Sequence, residues 1–393
     1  MVAQMDRITG DLFRNWNDVL LERKKIEFMS SFSFAHFMEK ALYDPKTGYY
    51  ASGKAALGRN GDFFTNVSIG KIYGKMIALF IDDLWEKLNK PSPFCIVEQG
   101  AHDGMLAQDI LEELRNSPAL FSSTSYIIVE PFPILRKRQQ ERLREFSNVY
   151  WFSYLCELPP WEGIHFSNEL IDAFPVHLLT WNGEQWLEQR VCEEEDQKSY
   201  SWLHAPIEEE ELERIAVTLP RSLSPGFLCE IRLGISSWLA EIAKKLKRGM
   251  ILIADYGYVG SSQFAPYRAE GSIACYQKHQ RFNNPLEKPG ERDISVHVNF
   301  GALAQTALQQ NWSLLGFSDQ HHFLMGIAHQ WLKSLEEEMP TASRKKELRS
   351  LQTLLHPETM GRQFQFLGLG HAMLSTPPLS GFRYQRPGIS GLF

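Results

Sequence analysis

Long apolar runs are missing from this chain. None approaches the ~18 consecutive apolar residues that a membrane-spanning helix needs. Cysteine is scarce, with only Cys95, Cys156, Cys192, Cys229 and Cys275. These five are widely spaced, odd in number and form no CxxC pair. That speaks against a zinc site or a disulfide framework, and for free thiols in a reducing compartment. An excess of positive charge is missing too: 41 Lys and Arg stand against 47 Asp and Glu, a formal net charge of -6. Such a balance disfavours non-specific binding to nucleic acid, which needs a basic face. The opening residues, Met1 to Trp16, are polar and include acids. Neither a secretory leader nor an Arg-rich, acid-poor transit peptide is expected there, and the expected location is cytoplasmic.

What is present is an ordinary globular composition, 44% hydrophobic and 22% charged over 393 residues. A sizeable core needs no metal or disulfide at this length. Phe32 to Leu42 and Ile69 to Leu88 carry apolar residues at helical spacing, with loop signals at Asp44–Gly48 and Gly58–Asp62. Short apolar runs then alternate with helical stretches. The runs are Phe94–Glu98, Tyr126–Glu130, Val149–Phe152, Gly163–Ser167, Met250–Asp255 and Gln363–Leu367. The helical stretches are Leu106–Leu114, Pro133–Phe146 and Ile235–Leu246. This alternation predicts an α/β fold around a parallel sheet with helices on both faces. Between Leu178 and Phe227 the pattern breaks: Trp181–Trp186 reads as a hairpin and Glu208–Glu213 favours helix. The expected organisation is a helical N-terminal cap (1–90), a first part of the core (91–178), an inserted substrate-side subdomain (179–230) and a second part of the core (231–393). The last part includes a long irregular loop, 257–293.

The segment Phe94 to Leu111 carries the first chemical signal. Glu98-Gln99-Gly100-Ala101-His102-Asp103-Gly104 joins a buried strand to a helix, where glycine lets the backbone approach a ligand closely. The helix start offers free N–H groups. The segment is not a P-loop, because no Gly-Lys-Ser/Thr follows, and His102 and Met105 break a GxGxxG reading. The second signal is Glu130, which closes the next strand. In a doubly wound sheet its carboxylate would stand beside the glycine turn and could accept both hydroxyls of a ribose. Together the two predict a site for a nucleoside-containing cofactor.

Further segments complete a resemblance. They are Tyr43-Asp44-Pro45 with Gly48-Tyr49-Tyr50, and Gly61 to Thr65 leading to Ser68. Glu130-Pro131 with Leu135-Arg136 follows, then Asn168-Glu169, Asp172-Ala173 and Pro175. Asp255-Tyr256-Gly257, Gly271 with Tyr276, Asn284-Pro285, Pro289-Gly290 and Asp293-Ile294 close the series. In this order they resemble the MidA-type class I S-adenosylmethionine-dependent methyltransferases. That family is related to the mitochondrial methyltransferase of complex I assembly. The resemblance implies a Rossmann-like class I methyltransferase sheet, S-adenosyl-L-methionine as cofactor, and an arginine side chain of a partner protein as acceptor. It implies cofactor contacts from Glu98, Gly100, Ala101, Gly104, Glu130, Pro131 and Thr65. On the acceptor side it implies Asn168, Glu169, Asp172 and Asp62, with Asp255 able to face the same crevice. Two positions depart from the family pattern: His102 replaces a third glycine, and Asn66-Val67 stand where an acid is usual.

Methyl transfer from a sulfonium is an in-line displacement that needs alignment and dryness more than acid-base chemistry. A guanidinium acceptor needs carboxylates, which pair with it in bidentate fashion. His279, His297, His321 and His322 read as ordinary histidines, the pair His321-His322 having no neighbouring acid at metal-ligand spacing, and no metal is expected. No nucleic acid and no membrane span are expected; a homodimer stays open. The alternative function is a methyltransferase-fold assembly or binding protein with weak or no catalysis. A small-molecule methyltransferase also fits the fold, because fold does not fix substrate, whereas the missing GxGxxG spacing disfavours a nicotinamide enzyme.

Overall fold

Pleated strands present alternate side chains to opposite faces, so a sheet covered on both sides needs apolar residues at nearly every position. In this protein β2 (Phe94–Gln99) follows that rule. Phe94 and Ile96 enter one core, and Cys95 and Val97 enter the other. β3 (Thr124–Val129) repeats it, with Tyr126 and Ile128 opposite Ile127 and Val129. The computed structural model describes residues 31–53, 66–194, 199–278, 280–336, 341–358, 360–373 and 378–393.

The chain enters through β1 (Ser31–Ser33) and α1 (Phe34–Tyr43), whose N-cap Ser33 accepts the His36 N–H. α2 (Ile72–Lys87) precedes β2, and α3 (Met105–Leu114) and α4 (Pro118–Ser123) lie between β2 and β3. α5 (Pro133–Arg142), β4 (Val149–Phe152) and β5 (Trp161–Asn168) follow. Next come β6 (His177–Trp181), β7 (Trp186–Glu193), β8 (Tyr200–Ala205), α6 (Glu210–Thr218) and β9 (Leu228–Ile231). The chain then forms α7 (Gly234–Ala243), β10 (Leu246–Tyr258), β11 (Ala274–Gln277), β12 (Gln280–Phe282), β13 (Asp293–Ser295) and β14 (Val298–Asn299). It closes with α8 (Phe300–Gln309), β15 (Ser313–Asp319), α9 (Gln320–Glu336), α10 (Ala342–Leu355) and β16 (Phe364–His371).

The main sheet runs in the order β15-β16-β10-β5-β2-β3-β4, with β14 attached to the end of β10. β4, β3, β2, β5 and β10 are mutually parallel, and β16 is antiparallel to both of its neighbours. The strand order reverses at β2 and β5. That switch point opens a crevice at their carboxyl ends, where ligands of open α/β sheets bind. Buried residues of α2, α3, α9 and α10 cover one face, and those of α7 and α8 cover the other. The Rossmann-like α/β fold expected of the sequence is the fold found.

A second sheet joins β8, β7, β6 and β9, with β1 paired to the far end of β7. The Trp181–Trp186 segment is its hairpin, and both indoles are buried in packing. A small third sheet, β12-β11-β13, occupies part of the stretch expected to be irregular. Two other boundaries differ from expectation, and one helix is additional. The helix after β3 stops at Arg142 rather than Phe146, because the chain turns to bury Leu143 and Phe146 in the core. α7 stops at Ala243, and Leu246 starts β10 opposite Trp161. α9 was not anticipated; Phe323, Leu324, Ile327 and Ala328 form its buried stripe.

Candidate active site

The loop after β2 is a run of left-handed positions: Gly100 (φ +83°), His102 (φ +46°) and Gly104 (φ +79°). A Cβ on Gly100 would lie 3.1 Å from Leu170 Cδ1, so the backbone passes close to the β5 turn. Gly104 is the N-cap of α3, and Asp103 Oδ1 accepts the Met105 N–H at 3.1 Å. Arg142 ties the loop down through Asp103 Oδ2 (2.7 Å) and the Asp103 carbonyl (2.9 Å). His102 takes the left-handed conformation where the family pattern has glycine, at a cost of about 1–2 kcal/mol for a residue with a Cβ. Its carbonyl accepts Gln139 Nε2 (2.8 Å), which helps hold it there.

Glu130 stands just past β3 and is buried. Its Oε1 accepts the Phe132 N–H (2.9 Å) and its Oε2 accepts Gln139 Nε2 (3.0 Å). A carboxylate has about four acceptor sites, so capacity remains for hydroxyl donors. Burial pushes its pKa up to about 7, against the opposing pull of the Phe132 and Gln139 hydrogen bonds. Glu98, near the end of β2, accepts the Tyr126 hydroxyl (2.7 Å), and burial likewise raises it to about 7.

Across the switch point, β5 ends in Asn168-Glu169. Tyr73 donates its hydroxyl to Asn168 Oδ1 (2.6 Å), and Asn168 Nδ2 donates to Glu169 Oε1 (3.0 Å). Glu169 has φ +53° and its pKa is raised, first by burial and then by the nearby Asp172 and Asp255. Asp172 Oδ2 accepts the Ser295 hydroxyl (2.8 Å), while its Oδ1 is buried with no hydrogen-bond partner. Asp255 is fully buried, and its Oδ2 accepts the N–H groups of Ile171 (2.9 Å) and Asp172 (3.2 Å). It clamps the turn after β5 instead of facing the crevice.

A cavity of about 600 Å³ connects these groups. Glu98, Gly100, Ala101, Glu130, Pro131, Asn168 and Glu169 all line it; Gly104, Asp172 and Asp255 stand behind its wall. Asp62 and Thr65 lie outside the described residues. Among the described residues no part of 179–230 lines the cavity. The wall opposite the glycine loop comes instead from Tyr43, Tyr50, 173–175 and α7. The tyrosines were visible in sequence only as a motif. Tyr43 donates to the Ala173 carbonyl (2.7 Å) and Tyr50 to Asp293 Oδ1 (2.7 Å), so the N-terminal segment is fastened over the crevice. Also missed were Gln139, Tyr73 and Trp238, whose indole donates to Gln99 Oε1 (3.0 Å) at the cavity edge. The wall carries six carboxylate residues, Glu39, Glu98, Asp103, Glu130, Glu169 and Glu241, and no Lys or Arg among the described residues. His321 and His322 face the Leu355 carbonyl and Asp319. His279 is outside the described residues.

The model of a family described as S-adenosyl-L-methionine-dependent methyltransferase matches residues 76–318. Protein arginine methyltransferase NDUFAF7, mitochondrial, of Xenopus laevis is 26% identical over 91% of this chain and 87% of its own. The Homo sapiens protein of the same name is 24% identical over 92% of this chain and 84% of its own. A Burkholderia thailandensis protein crystallised with S-adenosyl-homocysteine superposes with a TM-score of 0.79 at 24% identity. That match covers 90% of this chain and 91% of the other. These relatives overturn the cytoplasmic expectation, because the curated ones are named mitochondrial.

Proposed function

We propose, from the premise that this chain belongs to that family of S-adenosyl-L-methionine-dependent methyltransferases, that it methylates a guanidinium nitrogen of an arginine side chain in a partner protein. One observation carries the choice of acceptor: the cavity joins a nucleoside-type cradle at Glu130 to a carboxylate edge at Glu169, with no Lys or Arg on its wall among the described residues. A cationic acceptor is what such a wall favours. The names of the curated relatives support the same choice.

The residues fit the cofactor. Glu130 has spare acceptor capacity at the strand end, and Gly100 and Ala101 bring bare backbone to the cavity. We assign Glu98, Gly100, Ala101, Gly104, Glu130 and Pro131 to its binding, Gly104 through the conformation of the loop. Thr65 keeps the role that the resemblance gives it. S-adenosyl-L-methionine, when bound, supplies an electrophilic methyl group on a positively charged sulfur. Glu169 and Asn168 hold and orient the acceptor guanidinium, and Asp172 adds negative field from behind. That field draws positive charge away from the attacking nitrogen. The raised pKa of Glu169 suits it to take the proton that the guanidinium sheds. Tyr43 and Tyr50 close the crevice against water. Asp62 is kept as a candidate from the sequence.

Tritiated methyl transfer into extract proteins of a deletion strain, followed by mass spectrometry of arginine, tests the reading. Glu169→Ala should lower incorporation by at least about 100-fold, the scale of losing one transition-state electrostatic partner, with cofactor affinity retained. Normal arginine methylation by that variant would remove Glu169 from the acceptor site, and label on no arginine with the wild-type protein would refute arginine as the acceptor.

A further inference from the structure

Tyr73 is the second residue of α2 and is fully buried. It belongs to the main core together with Met76, Ile77 and Phe80 of the same helix, so the helix fixes where its hydroxyl lies. Core packing alone would accept phenylalanine. The hydroxyl instead reaches Asn168 Oδ1 at 2.6 Å, and Asn168 passes the contact on, Nδ2 to Glu169 Oε1 at 3.0 Å. In its ionised form Glu169 only accepts hydrogen bonds, so in that form the atom facing it is the amide nitrogen, as found. The amide oxygen is then left for the tyrosine to bind. Each contact dictates the direction of the other. Asn168 and Glu169 line the cavity, whereas Tyr73 does not. Glu169 also sits at φ +53°, a conformation that persists where surrounding contacts over-determine it.

We propose that Tyr73 is a positioning residue for methyl transfer, acting through Asn168 to hold the Glu169 carboxylate toward the acceptor. This rests on reading Glu169 as the partner of the guanidinium. Tyr73 touches neither cofactor nor acceptor. It keeps the Asn168 amide from rotating, and so keeps one N–H donor on the Glu169 oxygen.

The consequence is measurable at Glu169 itself. The Asn168 hydrogen bond favours the charged carboxylate, against burial and the charges of Asp172 and Asp255. Tyr73→Phe frees the amide, and the Glu169 titration midpoint should rise by about one unit, the lower end for losing a hydrogen bond to a charged group. Carboxyl-carbon NMR of the full chain with S-adenosyl-homocysteine follows the midpoint, and Glu169→Gln identifies the resonance. Asn168→Ala, at the cavity edge, should give the same rise. In the Asn168→Ala background, Tyr73→Phe should add nothing. A midpoint unmoved in Asn168→Ala overturns the proposal. So does one unmoved in Tyr73→Phe, or an equal further shift in the double variant. If the midpoint stays put while Glu169→Gln abolishes arginine methylation, positioning by Tyr73 fails and the arginine reading stands. If it moves while Glu169→Gln methylates arginine normally, the hydrogen-bond chain stands but Glu169 is not the partner of the guanidinium, and the positioning role falls with it.

Discussion

Replacing Glu130 tests the cofactor cradle most directly. Each of its oxygens already accepts one protein donor, Phe132 N–H on Oε1 and Gln139 Nε2 on Oε2. The remaining lone pairs are the ones a ribose would use. A hydrogen bond to a charged acceptor contributes about 1.5–3 kcal/mol. Two of them at the low end give about 3 kcal/mol, so Glu130→Ala should weaken cofactor binding by about 150-fold. Glu130→Gln keeps one acceptor and should lose about tenfold. The loop itself should survive either change, because Gln139 also donates to the His102 carbonyl and accepts from the Trp151 indole (3.1 Å). Affinity also depends on pH. Burial holds the Glu130 carboxyl up at about 7, and the hydroxyls need its charged form. Wild-type affinity should therefore fall as pH drops through 7, and Glu130→Gln should lack that fall. Isothermal titration with S-adenosyl-homocysteine between pH 5.5 and 8.5, a range of about three units around that pKa, reads both effects. Affinity of the alanine variant within about threefold of wild type would remove Glu130 from the cofactor site.

Two further outcomes concern stability. Glu98 is 2% exposed and its folded pKa is about 7, above the ordinary 4.5. A carboxyl raised on folding costs nothing at low pH. It destabilises progressively from about pH 4.5 to above 7, by about 3 kcal/mol at the upper limit. Glu98→Gln should thus match wild type in melting temperature near pH 5 and exceed it near pH 8; parallel curves would show that burial of the charge is not what Glu98 bears. In the glycine loop, His102→Gly relieves a left-handed residue and should stabilise by about 0.5 kcal/mol after its unfolded-state entropy is subtracted. Gly104→Ala should destabilise by about 1–2 kcal/mol, since its φ of +79° is a conformation that a Cβ disfavours. Urea unfolding compares them, and changes of equal sign would contradict the conformational account.

Much of the sheet was legible because its signal is local. Phe94-Cys95-Ile96-Val97 reads as a strand buried on both faces, and Glu130 reads as a ligand group because it ends such a strand. The site's other half depends on distance in the chain. Tyr50 meets Asp293 across 243 positions and Tyr73 meets Asn168 across 95. No periodicity announces such pairs, so Tyr43, Tyr49 and Tyr50 were visible as a motif without a role. Asp255 shows the converse. Its place after a strand fitted the crevice and a loop-stabilising role equally, and two backbone N–H groups on one of its oxygens favour the second. The 179–230 insertion looked substrate-facing because it interrupts the core. Trp181 and Trp186, expected to be packing residues, do fill the core beside a separate sheet.

The charge of the cavity ties the two halves together. Among the described residues the wall's six carboxylates have no Lys or Arg on the wall beside them, and Asp103 alone is paired with Arg142; they would repel one another if all were ionised. Burial holds Glu98 and Glu130 near 7 and raises Glu169, so protons occupy part of the site at rest. These carboxylates would hold a sulfonium and a guanidinium in place of those protons, and each cation would make them easier to ionise for the other. Toward a product whose sulfur is neutral the same carboxylates would hold less firmly, so a wall that selects for charge would also favour release.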